Sequence, residues 1–132
     1  MVHPGSVVSV LSRLTAQERG HLQRTAHPDW VPPMLATLSH EVFSSPDWIY
    51  ERKLDGERCL AFRDGDRVRL RSRNRKPLDA AYPELVDAVR GHVPSDAVVD
   101  GEVVAFEDGR TSFARLQPRM QATDPDQAGG VT

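Results

Sequence analysis

The sequence predicts an α+β domain, mainly antiparallel sheet with flanking helices. Three observations carry this prediction. Turn-forming Asp-Gly pairs stand at Asp55-Gly56, Asp64-Gly65 and Asp108-Gly109, beside short runs of apolar, aromatic or β-branched residues, as hairpins require. Residues 67–73 alternate strictly, with Arg67, Arg69, Arg71 and Arg73 on one face of an extended strand and Val68, Leu70 and Ser72 on the other. Residues 83–91 change to a helical pattern, with Pro83 in the first turn, Leu85, Val86 and Val89 as an apolar stripe, and Gly91 placed to end it.

Composition narrows the classes further. A chain of 132 residues, 39% hydrophobic and 27% charged, fits one soluble domain with a modest core and excludes a multi-domain machine. Cys59 is the single cysteine, which excludes an internal disulfide and a cysteine cluster for zinc. The five histidines, at 3, 21, 27, 40 and 92, show no metal-ligand spacing. Residues 1–14 have neither a basic leader nor a long apolar run, so a cytoplasmic protein without a membrane segment is expected. The net charge of −2 hides an asymmetry: residues 51–76 hold ten of the seventeen Lys and Arg against five acids. A basic segment inside an acidic chain points to a polyanionic partner.

In chain order, Thr15-Ala16-Gln17-Glu18 has the form of a capping box and predicts a short helix from Ala16 to about Thr25, weakened by Gly20. The prolines at 28, 32 and 33 then impose an extended strap. Trp48-Ile49-Tyr50 predicts a strand that turns at Asp55-Gly56 into a second, Cys59 to Phe62, and the Asp64-Gly65 turn leads to the alternating strand. After the helix, 97–99 and 103–106 read as buried strand on either side of Asp100-Gly101-Glu102. Two acids inside an apolar run are costly unless something binds them: either a bulge at Gly101 satisfies Glu102 with backbone amides, or the carboxylate is held for a ribose hydroxyl or a hydrated metal. A turn at 107–109 precedes a short helix from about Ser112, which Pro118 is expected to kink or stop. The divisions are a lead-in over 1–29, the main unit over 30–121 and a polar, disordered tail over 122–132.

Two stretches carry chemistry. Lys53-Leu54-Asp55-Gly56-Glu57-Arg58, with Glu51 two residues earlier, gathers an amine, carboxylates and a guanidinium in one short bend. A lysine attacks only once its amine is deprotonated, which desolvation or neighbouring positive charge promotes. A charged hairpin corner is the alternative. The arginine row is either a solvated strand face that discourages edge pairing or a line of phosphate contacts suited to a polymer.

Taken together, the segment 51–58, Ser72-Arg73-Asn74 and 99–104, with Pro33-Met34-Leu35-Ala36 before them and Phe113-Ala114-Arg115-Leu116-Gln117 after, make residues 30–121 resemble the adenylation domain of bacterial ATP-dependent DNA ligases. The lysine motif alone is shared across covalent nucleotidyltransferases; the other two, with the strap, favour DNA ligase. The resemblance implies the ATP-grasp-like nucleotidyltransferase fold, ATP and Mg2+ as cofactors, and nicked duplex DNA as partner in repair and recombination. It makes Lys53 the nucleophile that becomes lysyl-AMP. It places Glu51 at the adenine edge, Arg58 near the ribose and the nick, Arg73 on phosphate and Glu102 at the ribose, with Asp55 and Glu102 holding a metal ion through water. Arg67, Arg69 and Arg71 would contact DNA phosphates. Domains of this family continue to a stacking aromatic residue, a further acidic motif, a late lysine pair and an OB-fold domain. None of these stands in the 132 residues. The resemblance thus implies the N-terminal part of an adenylation domain, a fragment or a truncated product. A catalytically silent remnant that only binds nucleotide or nucleic acid is the alternative.

Overall fold

A computed structural model describes residues 10–122 of the chain, so the tail expected over 122–132 lies almost wholly outside the described residues. A 3-10 turn at Val10–Arg13 leads to α1, Ala16–Gly20. The strands are β1 (Glu57–Asp64), β2 (Arg67–Ser72), β3 (Asp96–Val103), β4 (Phe106–Glu107) and β5 (Arg110–Thr111), with α2 (Pro83–His92) between β2 and β3 and α3 (Phe113–Met120) last. The main sheet has the order β2-β1-β3 and is antiparallel throughout, while β4 and β5 form a separate hairpin. The α+β class expected from the hairpin signals is observed.

Register explains both faces of the sheet. Pairing Ala61 with Leu70 and Val99, and Cys59 with Ser72 and Gly101, puts these residues on one face. There Cys59, Ala61 and Leu70 join Leu78, Ala81, Tyr82 and Leu116 in the core, with Leu85, Val86 and Val89 of α2 packed against them. The opposite face carries Leu60 and Phe62, each 1% exposed. It is covered by the extended strap, whose Trp30 ring stacks on Phe62 at 6.0 Å while His27 meets it edge-on at 6.4 Å. Phe62 is deeply buried because the strap supplies the second layer that a two-sided strand needs.

The β1-β2 turn closes at Asp64 and Arg67, with Gly65 at φ 58°, a left-handed geometry that glycine adopts without strain. The outer edge of β2 is covered by the chain that follows it. Leu78 N–H donates to Leu70 O at 3.0 Å, Leu70 N–H to Asp79 Oδ1 at 3.0 Å, and Ser72 N–H to Lys76 O at 2.9 Å. Pro83 opens α2, and Arg63 donates to the carbonyls of Val89 and Val93 at its far end, where cationic groups oppose the helix dipole.

Several expectations change. The capping box at Thr15 and Glu18 is present, but α1 ends at Gly20: none of its residues is buried, and so short a helix without a buried face is not extended. Residues 48–50 form no strand. Trp48 packs against Phe43 at 5.1 Å, and Tyr50 Oη accepts from Ser45 N–H at 2.8 Å, so the aromatics make a local cluster instead. With no strand before it, Asp55-Gly56 is not a hairpin turn. β3 runs unbroken through Asp100-Gly101-Glu102 without a bulge, and as an edge strand it is largely open, with Val99 42% exposed. Gly91 lies inside α2, which continues to His92. Pro118 does not stop α3, which is anchored by Ser112 at its start and by buried Leu116, and continues to Met120.

Candidate functional site

The chemistry-bearing residues meet in one groove of about 1080 Å3 at the end of the sheet where β1 begins and β2 finishes. The segment before β1 brings Glu51 and Lys53, β1 brings Arg58, the loop after β2 brings Arg73 and β3 brings Glu102. All five nucleotide-site candidates therefore line a single surface. Among the described residues, the side chains of Glu51, Lys53, Arg73 and Glu102 make no hydrogen bond or ion pair. They are exposed and open to a ligand.

Arg58 is different, because it is already held. Its Nε donates to Asp100 Oδ1 at 2.9 Å, its Nη2 to Asp100 Oδ2 at 2.5 Å, and its Nη1 to Met34 O at 2.7 Å. Arg58 faces Glu102 across the β1-β3 pair, and Asp100 lies two residues from Glu102 on the same face. The hydrogen bond from Arg58 holds the Asp100 carboxyl below the usual range, and the same bond raises the guanidinium. This forked pair fixes the Arg58 fork in one plane at the groove floor. Asp100 drew notice in the sequence only as a costly acid, since its partnership with Arg58 depends on a register that spacing alone does not reveal.

Gly56 is needed for close approach and not for a turn. A side-chain carbon there would overlap the Val103 carbonyl oxygen and come within 2.8 Å of Val104 Cγ1 and 3.0 Å of Glu102 Cγ. The segment carrying Lys53 is thereby laid directly against the end of β3. Glu57 also lines the groove, and its Oε2 accepts from the Tyr82 hydroxyl at 2.9 Å. Burial, followed by this bond to a carboxylate, pushes the Tyr82 hydroxyl well above its ordinary pKa. Ser72 has a structural part: buried, its Oγ accepts from the N–H groups of Asn74 at 3.3 Å and Lys76 at 3.1 Å, shaping the loop that presents Arg73.

The remaining candidates are distributed otherwise. Asp55 lines a separate depression beside the β4-β5 hairpin, with Glu107, Asp108 and Arg110, and does not line the groove with Glu102. Among the described residues no three His, Cys, Asp or Glu side chains are grouped to hold a metal ion. In the arginine row, Arg71 donates to Asp79 Oδ2 at 2.7 Å, and Arg69 lies 5.1 Å from the Phe62 ring centre and 3.8 Å from Asp29. Those two side chains are committed to the fold. Arg67 and Arg73, at the ends of the row, are exposed. Among the described residues no helix is long and apolar enough to cross a membrane.

Residues 33–129 match the family model for the ATP-dependent DNA ligase domain. The chain belongs to this family. It is 41% identical over 95 residues to DNA ligase C of Mycobacterium tuberculosis, covering 71% of this chain and 26% of that protein. It is 49% identical over 82 residues to DNA ligase C1 of Mycolicibacterium smegmatis, covering 59% and 23%. To the multifunctional non-homologous end joining protein LigD of the same organism it is 33% identical over 103 residues, covering 76% and 14%. The chain thus spans about a quarter or less of the length of these relatives.

Proposed function

We propose that the groove is the N-terminal half of an adenylation site, in which Lys53 takes AMP from ATP as the first step of sealing DNA nicks. The observation that carries this reading is convergence: Glu51, Lys53, Arg58, Arg73 and Glu102 come from four separate parts of the chain and line one surface. The neutral amine of Lys53, having given its proton to solvent, attacks the α-phosphorus; the phosphorus-nitrogen bond forms, the α-β anhydride bond breaks and pyrophosphate leaves. The 5′-phosphate of a nick then displaces Lys53 to give an adenylated DNA end, and the 3′-hydroxyl displaces AMP. In-line displacement depends on positioning and charge neutralisation, and a clamped Arg58 with an open Arg73 supplies both.

Magnesium, which the family implies, would be held at this surface by Glu102 through water, with the bound triphosphate supplying further oxygens; Asp55 lines the neighbouring depression and not this groove. When bound it would neutralise phosphate charge. DNA contact is assigned to Arg67 and Arg73, because Arg69 and Arg71 are occupied by Asp29, Phe62 and Asp79. Repair of DNA breaks is the expected setting, as the names of the relatives indicate.

The test uses α-labelled ATP with magnesium and a search for an acid-labile, base-stable protein adduct. It is run with this chain alone and with this chain joined to the C-terminal portion of a relative's adenylation domain. The joined protein should form the adduct, and Lys53→Ala and Lys53→Arg should abolish it, because a guanidinium stays protonated and cannot attack. A labelled adduct that persists in either variant places the nucleophile elsewhere.

A further inference from the structure

Two walls of the groove are connected by a contact outside its lining. One wall is the strap, which contributes Leu35 and Ala36; the other is the loop after β2, which contributes Arg73, Asn74 and Lys76. Among the described residues the chain from 23 to 44 makes no backbone-to-backbone hydrogen bond, so side-chain ties alone hold the strap in place. His27 Nδ1 lies 2.9 Å from Asp96 Oδ1, Arg58 binds Met34 O, and Arg69 reaches Asp29. His27 also meets the Phe62 ring edge-on, and Trp30 meets both neighbours: its ring stacks on Phe62 of β1, and the Arg75 guanidinium sits 4.9 Å from its ring centre.

Arg75 closes the tight loop after β2, where its N–H donates to Ser72 O at 2.9 Å while Ser72 N–H donates to Lys76 O at 2.9 Å. The φ of Arg75 is 64°, a left-handed conformation that non-glycine residues adopt rarely. Glycine would relieve the strain, but glycine has no guanidinium to offer the strap.

We infer that Trp30 and Arg75 form a clasp that fixes the strap against the loop after β2, and so sets the width of the groove. Trp30 is a positioning residue, acting through Leu35, Ala36 and Arg73. The inference rests on the groove being the nucleotide site, and its test separates the two claims.

In a Trp48→Phe background Trp30 is the single tryptophan, since the chain has two. Without nucleotide, Arg75→Gly should increase acrylamide quenching of Trp30, and Arg75→Lys should restore most of the protection, while thermal midpoints stay within a few degrees because glycine suits that φ. ATP affinity is then measured by equilibrium dialysis. Arg75→Gly should weaken it about two- to fivefold, the magnitude of an exposed cation-π contact. Trp30→Ala should weaken it more and Trp30→Phe less, and Arg75→Gly should cost nothing further on the Trp30→Ala background. Absence of ATP binding by the parent chain would refute the nucleotide reading; the clasp would then stand or fall on quenching alone. Unchanged quenching in Arg75→Gly, or ATP losses that add in full in the double variant, would overturn the clasp.

Discussion

Gly56→Ala is the sharpest small perturbation available. The added carbon would collide with the Val103 carbonyl oxygen, which is backbone and cannot swing aside, and would crowd Val104 Cγ1 at 2.8 Å and Glu102 Cγ at 3.0 Å. Relief requires the segment before β1 and the end of β3 to separate. Overpacking of this kind costs about 1–3 kcal/mol. For a domain near 100 residues each kcal/mol lowers the thermal midpoint by roughly 4–8 °C. Gly101 supplies the control. It also lines the groove, but a side-chain carbon there meets nothing within 4 Å. Gly101→Ala should therefore stay within about 0.5 kcal/mol of the parent. Urea unfolding of the three proteins, with equal slopes, reads the difference directly. A Gly56→Ala chain as stable as the parent, or a Gly101→Ala chain destabilised as much, would refute the close-approach argument.

The other predictions concern the groove's supporting contacts. Because Arg58 depresses the Asp100 carboxyl, Asp100 contributes stability above its unfolded pKa of about 3.9, and that contribution is lost as pH falls through the lower folded value. Asp100→Asn should thus be less stable than the parent at pH 7 by under about 1 kcal/mol, given the partial exposure of the pair, and the gap should close below about pH 4 in urea titrations. Tyr82→Phe removes the donor to Glu57 and should cost about 1.5–3 kcal/mol by the same method. Arg71→Ala should lower stability by unseating Asp79, which also accepts from Leu70 N–H, whereas Arg67→Ala should leave stability unchanged and reduce the salt slope of DNA binding by roughly one unit. The Cys59 thiol, buried and pushed up to about 11, should resist a thiol reagent at pH 8 until urea exposes it.

What could be read from the sequence was what local pattern decides. The β1-β2 hairpin, the alternation of β2, the proline start of α2, the capping box of α1 and the turns at Asp64-Gly65 and Asp108-Gly109 were legible because each is set by residues within a few positions of one another. The failures have a common cause in tertiary context. Trp48-Ile49-Tyr50 looks like a strand, but among the described residues no partner strand lies beside it, and its aromatic rings found Phe43 instead. The valines of β3 suggested burial, yet β3 is an edge strand with its second neighbour absent among the described residues. The candidate residues were expected as a set from the motifs, and the fold lines one groove with five of them. Their unequal states were not legible: nothing local says that Arg58 is clamped by Asp100, that Arg71 belongs to Asp79, or that Asp55 lines another depression.

The most direct test of the groove as a nucleotide site is a backbone amide NMR titration of the chain with ATP. Shifts confined to Lys53, Leu54, Gly56, Arg73, Asn74, Gly101 and Glu102, saturating together, are the predicted result, with α2 unmoved. No shift at millimolar ATP, or shifts centred on α2 or on a further depression lined by residues 23–28 and Asp96, would contradict it.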